Sequence, residues 1–278
     1  MKTPRRSSLA AAGALAAAAS LFALDAAASP WPRPKGQLLL LAPISYLVAD
    51  SAFDGSGERV DRDRFEMVEF SPLFEYGFTD DLTGGLQPKF RRVEVETDSG
   101  TATNSGLAEA DAFLRYRLWH KDQAAFSVRG LVKAPIEPDE KDAAALGRDQ
   151  ADAEVALIYG NRRSLQGGGN VFYSGELGYR KRFGSPDDQA HLNGYIGWNP
   201  GGPWTVVLRS ANTIGIGDES GRREVLTTGP SFRKHEAQLM LSRRITDSVS
   251  GVVGVSTTFA GENVGAGKSG FVSVVSTF

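Results

Sequence analysis

The stretch Leu107-Ala108-Glu109-Ala110-Asp111-Ala112-Phe113-Leu114-Arg115-Tyr116-Arg117-Leu118-Trp119 decides the fold, because its two parities differ in kind. One parity holds Ala108, Ala110, Ala112, Leu114, Tyr116 and Leu118; the other holds Glu109, Asp111, Phe113, Arg115, Arg117 and Trp119. A helix would mix the two sets on every face, whereas the period-two geometry of a strand sends them to opposite sides. The stretch therefore reads as a strand with one apolar and one largely charged face.

The same pattern recurs outward from it. In 68–78, Val68, Phe70, Phe74, Tyr76 and Phe78 oppose Glu69, Ser71 and Glu75. In 124–134, Phe126, Val128 and Val132 oppose Ser127, Arg129 and Lys133. In 150–160, Val155, Leu157 and Tyr159 oppose Asp152 and Glu154, and in 171–183 Tyr173, Leu177, Tyr179 and Phe183 oppose Ser174, Glu176, Arg180 and Arg182. Short turns at 79–81, 120–123, 199–203 and 246–248 alternate with longer polar stretches at 54–63, 97–106, 135–149, 217–234 and 261–268. Short turns at one end and long loops at the other are the pattern of a transmembrane antiparallel up-and-down β-barrel. About twelve strands are expected, an even number that places both termini in the periplasm. Tyr76, Phe78, Tyr116, Tyr159, Tyr173, Phe183, Trp198 and Trp204 are candidates for interfacial girdles, while Trp119 and Tyr195, by parity, are expected in the lumen.

Composition agrees with this class and excludes others. Residues 1–28 carry Lys2, Arg5 and Arg6, an Ala/Leu-rich run and Ala26-Ala27-Ala28, which together read as a secretory signal. The barrel is then expected over 29–278, about 250 residues in one β domain. No other stretch approaches the 18 or so apolar residues of a spanning helix. The chain has no cysteine, which removes disulfides, thiolate metal sites and a cysteine nucleophile. With 31 basic and 33 acidic residues and a net charge of −2, there is no basic excess for nucleic acid. A slightly negative mean hydropathy fits barrel strands, which average a lipid-facing and a lumen-facing set.

The charges on the polar parity form a pattern of their own. Lys89 and Arg91 on the third expected strand are followed by Glu109 and Asp111 on the fourth, Lys133 on the fifth, Asp152 and Glu154 on the sixth, and Arg180 and Arg182 on the seventh. The sign alternates at each step, so neighbouring strands would meet with opposite charges, each pair contributing about 0.2–1 kcal/mol. Nearer the periplasm, Arg115, Arg117 and Arg129 would gather with Glu75 and Glu176 as partners. Such a network either braces a narrow lumen, where buried charges must be paired, or forms a constriction that selects a solute.

Other motifs carry little. Gly265-Ala266-Gly267-Lys268-Ser269 resembles the end of a phosphate-binding loop, but Glu262 stands where its first glycine is required, and 271–278 reads as a strand rather than a helix. His120, His191 and His235 lack metal-ligand spacing. His235 with Ser231 lies at the depth of the Ser/His pair of barrel lipid hydrolases, without further sign of a nucleophile and its oriented base. No catalytic residue, metal or cofactor is expected.

Four short stretches carry a family likeness: Trp31-Pro32-Arg33-Pro34-Lys35-Gly36-Gln37, Tyr76-Gly77-Phe78-Thr79-Asp80-Asp81-Leu82, Gly106-Leu107-Ala108-Glu109-Ala110-Asp111 running on to Arg115-Tyr116-Arg117-Leu118, and Ala260-Gly261-Glu262-Asn263-Val264-Gly265-Ala266-Gly267. In these the chain resembles outer-membrane transport barrels typified by proteins found near phenol meta-cleavage pathways, and related barrels encoded beside surface-polysaccharide genes. It departs from them at Ala108, where an acidic residue is expected. The terminal aromatic Phe278 on an amphipathic strand is similar to the signal that bacterial barrel-assembly machinery recognises. The resemblance implies the outer membrane of a Gram-negative bacterium, surrounding lipid, and transport of a small or extended polar solute or a polysaccharide. A closed barrel whose loops contact a partner is the alternative.

Overall fold

The computed structural model describes residues 29–97, 100–136, 144–147, 150–184, 187–217 and 228–278, with backbone alone for 228–231. The signal sequence expected at 1–28, the side chain of Ser231 and parts of the 135–149 and 217–234 loops lie outside these residues. Thirteen strands form one antiparallel sheet: β1 (Leu38–Phe53), β2 (Arg59–Phe70), β3 (Leu73–Gly77), β4 (Leu82–Thr97), β5 (Gly100–Lys121), β6 (Ala124–Pro135), β7 (Asp152–Ser164), β8 (Asn170–Arg182), β9 (Asp188–Asn199), β10 (Trp204–Ile216), β11 (Thr228–Arg244), β12 (Val249–Gly265) and β13 (Lys268–Thr277). β2 and β3 both pair with β1 on one side and β4 on the other, so they are two halves of one stave. Pro72, which has no N–H to give the ladder, separates them. β13 pairs with β1 from Leu39↔Thr277 to Val48↔Lys268, closing a barrel of twelve staves.

The near end carries Ser29, Phe278 and the tight turns. Its sharpest turn holds Gly167, Gly168 and Gly169, all with φ between 84° and 97°. A side chain at Gly169 would also meet the Asn199 carbonyl at 2.3 Å. Glycine tolerates both conditions where other residues pay for them.

Three of the stretches that read as long loops at the far end are in good part strand. β1 and β2 are joined by 54–58 alone, β4 and β5 by 98–99, and β12 and β13 by 266–267. Their polar residues misled because a strand standing clear of the wall can be polar on both faces and still satisfy its backbone in the ladder.

The outer face is apolar around the wall. Every girdle candidate, Tyr76, Phe78, Tyr116, Tyr159, Tyr173, Phe183, Trp198 and Trp204, is exposed there, and so are Leu114, Leu157, Leu177 and Leu192 between them. A continuous apolar surface of this extent is what a wall immersed in hydrocarbon requires.

Two bulges alter the simple parity. Between the pairs Arg117↔Ser127 and Trp119↔Phe126 the register shifts by one, so Trp119 follows Phe126 to the outer face and is 47% exposed rather than lining the lumen. Between Lys89↔Glu109 and Phe90↔Leu107 the shift turns Ala108 inward, where it is 1% exposed. An inserted residue flips every side chain beyond it, an event invisible to periodicity alone. Tyr195 does face inward and is buried.

Leu177 sits mid-strand, paired with Leu157 and Leu192 on the outer wall. Leu177→Arg is expected to destabilise the barrel by about 2–4 kcal/mol in bilayers, the depth-dependent cost of a midplane cation. Urea unfolding in lipid vesicles measures it; Leu177→Val is the near-neutral control.

Candidate functional site

Alternation that makes the outer face apolar sends the other parity into the lumen, where three layers follow one another from the near end. Between the mouth and the middle lies an apolar ring of Leu39, Leu73, Phe113, Leu131, Phe172, Tyr195, Val207, Met240, Val252 and Val275, each from a different strand. Three aromatic rings on the inner wall lie over cross-strand glycines: Phe113 on Gly85, Phe172 on Gly197 and Phe271 on Gly254. A Cβ on these glycines would meet ring atoms at 2.2, 2.0 and 2.4 Å, so the missing side chains let the rings lie against the wall.

The inner faces of β2 and β4 to β9 carry ion pairs in two groups, one centred on Glu109 and Asp152 and the other on Glu154. Lys89 reaches Glu109 at 2.8 Å and Asp111 at 2.9 Å, and Arg91 reaches Glu109 at 3.1 Å and Glu69 at 2.7 Å. Lys133 joins Asp152 at 2.9 Å and Glu109 at 3.5 Å; Arg182 approaches Asp152 at 3.6 Å. Glu154 takes both Arg129 and Arg180 at 2.7 Å, and Arg129 also holds Glu176 at 3.1 Å. Each charge is shared with a neighbouring strand because the ladder puts opposite residues within side-chain reach on one face. Arg117 lies apart from these: it turns to Asp81 in the near-end turn at 2.7 Å.

Arg115 is fully buried and leads to a feature that the strand pattern does not reveal. Its partner Glu75, 3.2 Å away, is also bound by Arg33 at 2.6 Å, and Arg33 belongs to the segment that precedes β1. That segment, 29–35, lies across the near mouth inside the barrel. The Arg33 backbone N–H donates to Thr83 Oγ1 at 2.7 Å, Ser127 Oγ donates to the Pro30 carbonyl, and the Arg162 guanidinium stacks 5.9 Å over Trp31. The wall makes room for it with glycine. A Cβ at Gly77 would lie 2.1 Å from the Pro34 carbonyl, and one at Gly160 would lie 2.8 Å from Pro30 and 2.9 Å from Trp31. The sequence did hold one sign of it. Pro30, Pro32 and Pro34 cannot donate to a ladder, so the segment could not extend β1.

The far mouth is also narrowed. Ala144 and Leu146 pack with Val93, Val95 and Ala108, and Arg91 Nη1 donates to the Leu146 carbonyl at 2.9 Å. Lys268 opens β13, so the glycine-rich 265–269 stretch is a hairpin with a strand after it. Of the histidines, His191 faces the network, with Nε2 3.8 Å from Glu154, and His235 Nδ1 lies 2.8 Å from Asn212 Oδ1. No cluster of three or more His, Asp or Glu side chains placed to hold a metal lies among the described residues.

No protein-family model matches the sequence, and no curated protein matches it. Solved structures match its fold. An outer membrane channel from Pseudomonas putida F1 superimposes with a TM-score of 0.72 at 15% identity, over 90% of this chain and 98% of that one. The NanC porin follows at 0.51 and 9%, over 85% and 98%, and the translocator domain of the autotransporter NalP from Neisseria meningitidis at 0.50 and 13%, over 97% and 98%. The chain thus has the fold of the outer-membrane barrels, a form shared by proteins named as channel, porin and translocator.

Glu75 holds both Arg33 and Arg115 in the buried near mouth. Glu75→Gln is expected to cost roughly 3–5 kcal/mol, the penalty for leaving buried charge without its partner. Adding Arg115→Met to that variant should recover part of the loss. Denaturant titration of the two proteins reads both effects.

Proposed function

We propose that the protein is an outer-membrane channel for a small or extended polar solute, with its own N-terminal segment as the plug of the periplasmic mouth. A polar lumen inside an apolar outer wall carries this reading. The near end faces the periplasm, consistent with both termini there and with tight turns at that end. The protein reaches the membrane after removal of a secretory signal, and barrel-assembly machinery takes hold of the last strand at Phe278. Phe278 is well placed for this, exposed and hydrogen-bonded to Leu38 across the closing seam. No chemistry beyond passage is assigned to the lumen.

Lys89, Arg91, Glu109, Asp111, Lys133, Asp152, Glu154, Arg180 and Arg182, with Arg129 and Glu176, brace one wall of the lumen in this proposal. Their charges are spent on one another, which leaves passage to the opposite wall. The seated 29–35 segment favours a second reading, a permanently closed barrel that acts through its outer surface.

Planar-bilayer recording separates the two. The mature protein should show brief, rare openings. Arg33→Gln, which removes one anchor of the segment, should raise the open fraction roughly tenfold, equivalent to about 1.4 kcal/mol. Gly160→Trp, which fills the space of Pro30 and Trp31, should do the same. Because the chain has no cysteine, a thiol introduced at Ser127 and bulky labelling of it should then abolish the steps. Silence from every folded variant would establish the closed barrel.

A further inference from the structure

The two sides of the lumen differ in chemistry. The ion pairs concentrate on β4 to β9 and reach Glu69 on β2, while β10 to β13, β1 and the β2–β3 stave face them mostly with hydroxyl and amide groups, besides Glu69, Arg209 and Glu236. Against this second wall is a cavity of about 360 Å³, within the ~300–1,000 Å³ usual for small-ligand sites and equal to roughly a dozen waters' share of liquid volume. Its floor is the upper edge of the apolar ring, at Leu73, Met240 and Val252, with Phe271 lying flat on Gly254 beside them. Its walls are Ser45, Ser71, Ser256, Ser269 and Ser273, with Gln87 and Gln238 on either side.

Both carboxylates at the cavity are paired. Glu69 is bound by Arg91 at 2.7 Å and Glu236 by Lys234 at 2.6 Å, while Arg209 donates to Gln238 Oε1 at 3.5 Å. An ion entering here would shed water: a cation would find both carboxylates bridged, and an anion would meet two carboxylates against the one guanidinium of Arg209, a costly exchange either way. A neutral solute does not meet that penalty. The serine hydroxyls are donor and acceptor at once, Ser256 and Ser269 already sharing a hydrogen bond at 2.7 Å, and the glutamine amides offer both functions on one group. Such a wall is suited to a molecule whose own groups are also hydroxyls. The flat aromatic floor is suited to a molecule with one apolar face. Pro43, Ser71 and Leu73 line the cavity, so the break between β2 and β3 falls beside it.

We propose that this cavity binds a neutral, hydroxyl-rich solute of mono- to disaccharide size, its apolar face on Phe271 and its hydroxyls on the serine and glutamine wall. The proposal rests on the channel reading for its purpose, and gives that channel a substrate class. Solute would descend along the hydroxyl wall, pause on the ring and pass when the 29–35 segment leaves the mouth.

Calorimetry of the detergent-solubilised mature protein with glucose, maltose, gluconate and glucosamine tests the site without needing an open pore. Maltose and glucose should bind, and gluconate and glucosamine should bind at least roughly tenfold more weakly, a difference of about 1.4 kcal/mol. Gln238→Leu and Phe271→Ala should each weaken maltose binding by a similar factor, while Leu177→Val on the outer wall should leave it unchanged. In planar bilayers, maltose should interrupt the current of the Arg33→Gln protein in proportion to its concentration. Current without sugar binding, or tighter binding of gluconate than of maltose, overturns the site and leaves the channel standing. Sugar binding without current in any variant overturns the channel and leaves the site.

Discussion

Closure of the sheet is the constraint on which everything else depends. Within a bilayer a strand edge has no water to satisfy its backbone, so the first and last strands must meet. The ladder from Leu39↔Thr277 to Val48↔Lys268 supplies that meeting. Once the sheet is closed, each strand has one face for lipid and one for the lumen, and alternation ceases to be a local preference. It becomes a sorting rule applied at every stave, which is why Leu114, Leu157, Leu177 and Leu192 end outside while Glu109, Arg129 and Glu154 end inside.

Sorting charge inward creates an obligation. A charge enclosed in a narrow lumen pays for lost water unless a partner is within reach. The alternating sign along β4 to β9 meets this with cross-strand pairs, and Glu109, Asp152 and Glu154 each serve more than one cation. Pairs of this kind are weak evidence of stability, since apolar substitutes of equal volume can match them, but losing one member is expensive. Their effect is to fix one wall firmly. The opposite wall is poorer in charge and richer in hydroxyl and amide groups.

The near mouth shows a different balance. Residues 29–35 are held by ion pairs to Glu75, a few hydrogen bonds and a guanidinium stack, not by a ladder. Such contacts are separable one at a time, whereas a strand must leave its ladder as a unit. A plug retained this way is tied to the barrel yet removable at a cost far below that of unfolding the wall. Gly77 and Gly160 mark its path as a recess built into the barrel.

Much of this was legible from residue order alone. Period-two alternation gave the strands, the outer girdle and the signs of the inward charges, because those properties follow from which parity a residue occupies and parity is local. The tertiary structure decided what parity does not carry. Bulges at Leu118 and Ala108 reversed Trp119 and Ala108, since one extra residue is free of sequence signature yet shifts all that follows. Within the polar stretches 54–63, 97–106 and 261–268, residues 59–63, 100–106 and 261–265 became strand because a neighbouring edge was there to pair with. Arg33 met Glu75 and Arg115, and Ser45 faced Gln238 across one cavity, through contacts between segments 40 to nearly 200 residues apart. Only a closed barrel brings such segments together, because the closing seam joins the ends of the chain and the lumen then belongs to all strands at once.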